Sequence, residues 1–150
     1  MSGSERNRVE VLHGVNLDML GRRDPEHYGT LTLRELEGRV KRFGRELDLE
    51  VALYQTNHEG DFVERLHRLP DAADGALINA GAWTHYSWAI RDALEIAALP
   101  AVEVHLSDVG AREQWRRHSV LEGLVIGSVA GQGVEGYQQA LELLKPKLGE

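Results

Sequence analysis

The feature that most constrains the fold is an alternation, repeated along the whole chain, of short β-like runs with stretches of helical spacing. Strands that alternate with helices form parallel crossovers, and helices then cover both faces of the sheet. We therefore expect residues 1–150 to form one α/β, flavodoxin-like domain with a five-stranded parallel sheet, in which residues 1–7 are a flexible N-terminal tail. The expected strands are Val9–His13, Glu50–Tyr54, Ala76–Ile78, Ala101–Leu106 and Leu124–Val129.

The helical stretches carry their own start and stop signals. Thr32 and Glu35 fit a capping box, and apolar residues at three- and four-residue spacing follow as far as Leu47. Residues 16–30, between the first strand and this helix, are predicted to form a long loop, and loops of that length are often functional. Further helices are expected from Asp61 to Pro70, from about His85 to Ala98 and from about Val134 to Leu148.

Composition and motifs exclude several kinds of site. The 150 residues include no cysteine, so the chain has no disulfide, thiolate metal site or cysteine nucleophile. No HxH or HxxxH pair accompanies a carboxylate, so we expect no metal. Neither GxGxxG after the first strand nor a P-loop lysine is present, and the glycine-rich residues 127–133 are interpreted as a tight turn. We expect no cofactor.

Charge and hydropathy limit the partners and the location. The net charge of −7 argues against a broad nucleic-acid surface. No apolar run approaches the roughly 20 residues that span a bilayer, so we expect no membrane partner. The N-terminal residues contain no apolar leader, from which we expect a cytoplasmic protein.

Polar residues concentrate where the predicted strands end. Ligands of doubly wound sheets bind at that edge. His105, at the end of the fourth strand, would suit a general acid near neutral pH, with Glu103 on the same side of the strand, although a purely structural histidine is equally compatible. Arg112 and Arg116 would share a helix face and bind an anion, but their spacing alone favours a solvated surface pair.

Two residues of the predicted loop form a candidate base. An ionised phenol is costly near pH 7, and a neighbouring guanidinium stabilises it. Tyr28 and Arg23 are close enough in sequence to form such a pair, and a mobile loop would let them close over a substrate and exclude water.

With these residues at these positions, the chain resembles type II 3-dehydroquinate dehydratases from about residue 8 to residue 145. The matching blocks are HGVNLDMLGRRDPEHYG, QTNHEGDFVERLH, INAGAWTHYSWAIRDAL, VEVHLSDVGAREQWRRHS and IGSVAGQGVEGYQQAL. The resemblance implies a cofactor-free, reversible anti elimination of water from 3-dehydroquinate through an enolate, in the shikimate or quinate pathway. It also implies a flavodoxin-like subunit that assembles into a dodecamer built from trimers.

The resemblance also implies roles for the catalytic residues. Tyr28 removes the C2 proton of the substrate and Arg23 supports it. Asn16 is associated with the enolate and an ordered water. His105 protonates the departing C1 hydroxyl, supported by Glu103.

The implied substrate contacts are a second set. The backbone amides of Leu106 and Ser107 hold the substrate carboxylate, Arg112 helps to keep the tyrosine ionised, and Asp92 of a neighbouring subunit completes the site. The ring hydroxyls are met by Asn79, His85 and Arg116. A small anionic cyclic substrate suits this local cluster of cations.

The chain departs from the family pattern at four positions. His13 and Val15 stand where the family usually has asparagine and proline, so His13 adds a titratable group near the base and the backbone before Asn16 is freer. Trp83 and Trp88 are bulkier than the usual residues. Two alternatives stay open: a paralogue that dehydrates a related cyclic hydroxy-ketone, and a non-catalytic assembly or binding protein on the same scaffold.

Overall fold

The sheet has five strands, all parallel. A computed structural model describes residues 6–149, and its strands are β1 (Arg8–His13), β2 (Glu50–Gln55), β3 (Gly75–Asn79), β4 (Ala101–His105) and β5 (Gly127–Ala130). The strand order is β2-β1-β3-β4-β5. From β1 the chain adds β2 on one side and then β3 to β5 on the other, so the topological switch point lies between β1 and β3. This is the flavodoxin-like order, and the predicted α/β class is confirmed.

Helices cover both faces of the sheet, as predicted. The helices are α1 (Pro25–Tyr28), α2 (Leu33–Glu46), α3 (Glu59–Ala72), α4 (Trp88–Ala97) and α5 (Glu135–Leu144), of which α2 to α5 pack against the sheet. The alternation of side chains along β1 divides the core in two. Val9 and Val11 are buried with α2 and α5, whereas Leu12 is buried with α3 and α4. None of the helices in residues 6–149 combines the length and apolarity needed to cross a membrane.

The start of α2 agrees with the sequence, whereas the predicted end of the following helix does not. The predicted capping box is present, because the Thr32 hydroxyl accepts from the amide of Glu35 at 3.2 Å and the Glu35 carboxylate accepts from the amide of Thr32 at 2.9 Å. The predicted end of the next helix at Pro70 is wrong, since α3 continues to Ala72. Proline removes one amide donor, but the amide of Ala73 still donates to the carbonyl of Leu69 at 2.9 Å.

Three other boundaries differ from the prediction, one of them the end of the last helix, which lies at Leu144 rather than Leu148. The helix expected from about His85 is split into a 3-10 turn over Gly81–His85 and α4, because the Ser87 hydroxyl caps α4 by accepting from the amide of Ile90. The fifth strand starts at Gly127 rather than Leu124, so residues 127–130 belong to the sheet and only the rest of the glycine-rich segment turns.

The predicted loop over residues 16–30 contains two short helical turns. Leu17–Met19 forms a 3-10 turn, and α1 begins where the Asp24 carboxylate accepts from the amide of Glu26 with proline at the first helical position. Residues 1–5 of the predicted flexible tail lie outside the described residues. Residue 7 pairs with β2, since its carbonyl accepts from the amide of Glu50 at 2.8 Å.

Candidate active site

The site begins where the ends of β1 and β3 come together. The amide of Gly14 donates to the carbonyl of Asn79 at 2.8 Å, and a Cβ on Gly14 would lie 2.3 Å from the carbonyl oxygen of Ala80. Gly81 has a φ of 64°, and a Cβ there would lie 2.6 Å from the carbonyl oxygen of Val15. Only glycine fits at both positions, and the loops after β1 and β3 therefore touch.

A cavity of about 80 Å³ opens beside this contact and collects most of the predicted site residues. Ten of the twelve predicted residues line it: Asn16, Arg23, Tyr28, Asn79, His85, His105, Leu106, Ser107, Arg112 and Arg116. A larger cavity of about 620 Å³ also includes Tyr28, Ser107 and Arg112 in its lining, so these residues lie in the wall between the two.

The hydroxyl of Tyr28 is held by two arginines. Nη2 of Arg23 donates to the phenol oxygen at 2.7 Å, and Nη1 of Arg112 donates to the same oxygen at 2.5 Å. The guanidinium of Arg23 also stacks 3.8 Å from the centre of the tyrosine ring. Arg112 is fixed in turn by the hydroxyl of Ser107 at 3.3 Å. Two cations on one phenol oxygen stabilise negative charge there.

The cavity is strongly cationic in an acidic protein. Arg23, Arg112 and Arg116 all line it, and the side chains of the last two are only 10% and 16% exposed. Burial lowers the pKa of Arg23 from its ordinary value, and the charges of the other two arginines lower it further. Glu113 pairs with Arg112 and Arg116, and an anion bound in the cavity would further relieve the repulsion among the three cations.

Opposite the tyrosine lies a buried histidine-carboxylate pair. Nε2 of His105 lies 2.5 Å from Oε2 of Glu103, and the other carboxylate oxygen accepts from the hydroxyl of Ser119 at 2.8 Å. Both side chains point to the same face of β4, as strand alternation predicts. The carboxylate fixes the tautomer and the ring orientation, which leaves Nδ1 of His105 available in the cavity.

His85 has its protonation set by a backbone contact. Its Nδ1 lies 2.7 Å from the carbonyl oxygen of His118, which can only accept, so Nδ1 carries the hydrogen. Burial lowers the pKa of His85, and the charge of Arg116 adds to this effect. The neutral ring therefore offers Nε2 as an acceptor, and it stacks on His105 with the ring centres 6.4 Å apart.

Asn16 takes a backbone conformation that is unusual for a side-chain-bearing residue, with φ at 70°. Its amide donates to Oδ1 of Asn57 at 2.8 Å, and Nδ2 of Asn57 donates to Asp18 at 3.0 Å. Gln55 donates to the same Asn57 oxygen at 3.1 Å. The segment after β2 thus fixes the segment after β1.

Comparison with known proteins agrees with this arrangement. The family model for class II dehydroquinases matches residues 7–145. The chain belongs to the class II dehydroquinase family. A 3-dehydroquinate dehydratase of Pelobacter propionicus is 52% identical over 89% of this chain and 91% of the relative, and one of Thermotoga petrophila is 50% identical over 95% and 98%. The crystal structure of a type II dehydroquinase from Propionibacterium acnes superposes with a TM-score of 0.88 at 42% identity, covering 95% of this chain and 99% of that one.

Two predicted site residues of this dehydroquinase-family chain do not line the cavity. Glu103 lies behind His105, and Asp92 is exposed on α4. The helical interpretation of the arginine pair is wrong, because Arg112 has extended backbone between two 3-10 turns. The surface-pair interpretation is also wrong, since both side chains point into the cavity, and Arg116 is held by Glu113 at 3.1 Å.

The expectation that His13 adds a titratable group near the base is corrected. His13 is fully buried, and Nε2 lies 2.9 Å from the hydroxyl of Tyr137 rather than near Tyr28. Burial lowers the pKa of His13 to about 4, so the ring stays neutral near pH 7. Trp83 is buried against Phe62, with ring centres 5.7 Å apart, whereas Trp88 is 59% exposed.

Two residues around the site were missed by sequence reasoning. Ser119 and Tyr137 each hold a predicted site residue, yet they make those contacts across a loop or from a distant element. Their only signal was membership of the matching sequence blocks. Asp24, Glu26 and His27 can bring three ligand atoms within 4.8 Å of one another, but this closeness follows from the capping of α1 by Asp24.

Proposed function

We propose that this protein is a 3-dehydroquinate dehydratase of the shikimate pathway, which eliminates water without a cofactor to give 3-dehydroshikimate. The observation that carries the proposal is that the Tyr28 hydroxyl, held by two guanidiniums, lines one cavity with the carboxylate-paired His105. A base and an acid that share one small cavity are what an anti elimination requires. The relatives' names favour this reaction and give no support to a paralogue with another substrate.

The first half of the reaction forms an enolate. The phenolate of Tyr28 removes the C2 proton, and the electron pair of the broken bond moves onto the C3 carbonyl oxygen. Arg23 and Arg112 stabilise the phenolate before this step. Asn16, on the same rim, is the group we place beside the enolate oxygen, with an ordered water. Stabilisation of a developing oxyanion is commonly a large part of catalysis.

The second half expels water. The enolate collapses to restore the ketone, a double bond forms between C1 and C2, and the bond from C1 to its hydroxyl breaks. His105 donates its Nδ1 proton to the departing hydroxyl, which leaves as water. Glu103 stabilises the positive charge of His105 before the transfer and holds Nε2 throughout. Tyr28 ends with a proton and His105 without one, so both must be reset through solvent.

The remaining polar groups suit the substrate's other substituents. We place the substrate carboxylate at the backbone amides of Leu106 and Ser107. This backbone is held in place because the carbonyl of Leu106 accepts from the amide of Gly133 and the carbonyl of Ser107 accepts from the amide of Gly131. We place the ring hydroxyls at Asn79, His85 and Arg116. Neutral His85 accepts from a hydroxyl through Nε2, which a protonated ring could not do.

The direct test is the ultraviolet absorbance of the conjugated enone when purified protein meets 3-dehydroquinate without metal or nucleotide. Tyr28→Phe removes the base and should abolish the absorbance rise. Tyr54→Phe is the matched control, because this tyrosine lies on β2 and keeps its ring contact with Arg65 as phenylalanine. Unchanged activity in Tyr28→Phe would contradict the assigned base, and no activity in the folded, assembled wild type would contradict the proposed substrate.

The arginine pair has its own test. Arg23→Gln should slow the reaction by about 10² or more and move the acidic limb of the rate profile to higher pH, because the phenolate loses a neighbouring cation. Arg22→Gln changes an exposed neighbour and serves as the matched control. A rate profile of Arg23→Gln that coincides with that of Arg22→Gln would refute the pairing.

We further propose that the site is completed between copies of the chain, in a homo-oligomer that the family resemblance makes a dodecamer built from trimers. Trp88, Asp92 and Ile96 follow one another at four-residue spacing on α4, and all three are exposed, Trp88 by 59% and Ile96 by 69%. Large apolar side chains around a carboxylate are typical of a protein interface. Light scattering should show the oligomer, and a monomer with full activity would contradict a shared site.

A further inference from the structure

A buried chain of hydrogen bonds runs from the cavity into the core and ends at His13. Nδ2 of Asn79 donates to the hydroxyl oxygen of Tyr137 at 3.0 Å, and that hydroxyl lies 2.9 Å from Nε2 of His13. Tyr137 and His13 are fully buried, and Asn79 is 4% exposed. The proposed reaction uses Asn79 for binding and assigns nothing to the other two.

The donors and acceptors of this chain can be assigned from one fixed end. The amide of Gly81 donates to Oδ1 of Asn79 at 3.3 Å, so Oδ1 is the acceptor and Nδ2 the donor. The Tyr137 oxygen accepts from Nδ2, and burial raises the pKa of this hydroxyl, which keeps its proton. Within residues 6–149, the hydroxyl proton then has one acceptor in reach, which is Nε2 of His13.

The opposite assignment leaves more polar groups unpaired. If Nε2 of His13 carried the hydrogen, both the Tyr137 hydroxyl proton and Nδ1 of His13 would lie buried without partners. With Nε2 as the acceptor, Nδ1 of His13 is the one side-chain polar atom in the Asn79–Tyr137–His13 chain of hydrogen bonds that has no partner among the described residues. Each buried, unpaired polar group destabilises the fold, so the hydrogen bonds are all donated in one direction, from Asn79 to Tyr137 and from Tyr137 to His13.

We propose that His13 and Tyr137 are positioning residues that hold the amide of Asn79 with one N–H turned towards the substrate. This inference rests on the proposed function. Asn79 has one N–H and one oxygen lone pair left once Gly81 and Tyr137 are satisfied. The amide cannot flip, because a flip would set Nδ2 against the amide N–H of Gly81, and Oδ1 would then need the hydroxyl proton that Tyr137 donates to Nε2 of His13. The site therefore presents a donor from Asn79 to a substrate oxygen.

The kinetic test is a double-mutant cycle. Tyr137→Phe should lower kcat/KM by about tenfold while its fold persists, since only one oxygen is removed from a buried ring. In an Asn79→Ala background the same change should alter kcat/KM by less than about twofold, because Tyr137 acts through Asn79. Losses that simply multiply in the double variant would overturn the proposal and assign Tyr137 to general stability.

The role of His13 at the end of the hydrogen-bonded series is tested by a pair of variants at that position. His13→Gln places an amide oxygen near the position of Nε2 and should retain kcat/KM within about threefold, whereas His13→Leu removes the acceptor and should match Tyr137→Phe. Equal kcat/KM in the two folded variants would overturn the role of His13.

One readout does not depend on turnover at all. The ¹⁵N resonances of His13 should show the tautomer with hydrogen on Nδ1 in wild-type protein without substrate. Hydrogen on Nε2 would overturn the inference even in a fully active enzyme. The Nδ1 tautomer in a protein that fails to dehydrate 3-dehydroquinate would instead leave the chain intact and refute the proposed substrate.

Discussion

Acid should destabilise the wild-type protein more than its His13→Gln variant, because His13 is buried in its neutral form. The pKa of His13 falls from an ordinary value of 6.5 to about 4 on folding, and burial is the cause. The unfolded chain therefore binds a proton near pH 6.5 that the folded chain refuses until about pH 4. Stability is complete above pH 6.5 and is lost as the pH falls towards 4.

The size of the loss follows from the two pKa values. Each pH unit between the two pKa values lowers the free energy of unfolding by about 1.36 kcal/mol, which gives a loss of about 3 kcal/mol between pH 7 and pH 4. For a protein of this length, that corresponds to a fall in Tm of roughly 6–12 °C. His13→Gln has no imidazole to protonate and should lack this part of the fall.

The assay is thermal unfolding followed by circular dichroism from pH 7 to pH 4, for wild type, His13→Gln and His67→Gln. His67 is exposed on α3 and controls for the loss of a histidine as such. The quantity compared is the change of Tm with pH, so a constant difference in stability between variants does not matter. Parallel curves for wild type and His13→Gln would refute the assignment of His13 as a buried, neutral ring.

Three further changes test the core, the capping and the acid. Phe62→Ala, at a fully buried position, should lower the free energy of unfolding by about 3–5 kcal/mol in urea titrations, and a loss below 1 kcal/mol would contradict its place in the core. Thr32→Ala should cost about 1 kcal/mol by removing the capping box with Glu35, and Thr30→Ala, outside the box, should cost less. Ser119→Ala leaves Oε1 of Glu103 without its donor and should lower kcat about tenfold in the enone assay with the Tm little changed; full activity would show that the serine does not orient the pair.

The sequence predicted where the site lies because that depends on a general property of the fold. Carboxyl ends of parallel strands meet at one edge, so the polar residues after β1, β3 and β4 had to be neighbours. The hydrogen-bond partners were harder, since they depend on loop conformation. Asn57 meets Asn16 only through the way two loops cross, and Tyr137 meets His13 across 124 positions of the chain.

The boundary errors have equally local causes. The sequence pattern treats Pro70 as the end of a helix, but the amides that follow it still find carbonyl partners. The four-residue spacing of Arg112 and Arg116 is typical of one helix face, yet two separate turns with an extended residue between them deliver both side chains to the cavity. Periodicity alone does not distinguish these geometries.

The short helix α1 has a consequence for how such a site can diverge. Tyr28 and Arg23 lie within one segment that Leu17 and Leu20 anchor in the core, whereas His105 and Glu103 belong to a central strand. Changes in the segment alter its own turns and leave the ladder of the sheet intact. Divergence of this segment would therefore change the proposed base Tyr28 and its partner Arg23, while Arg112, which also holds the Tyr28 hydroxyl, and the His105–Glu103 pair stay with β4 and the loop after it.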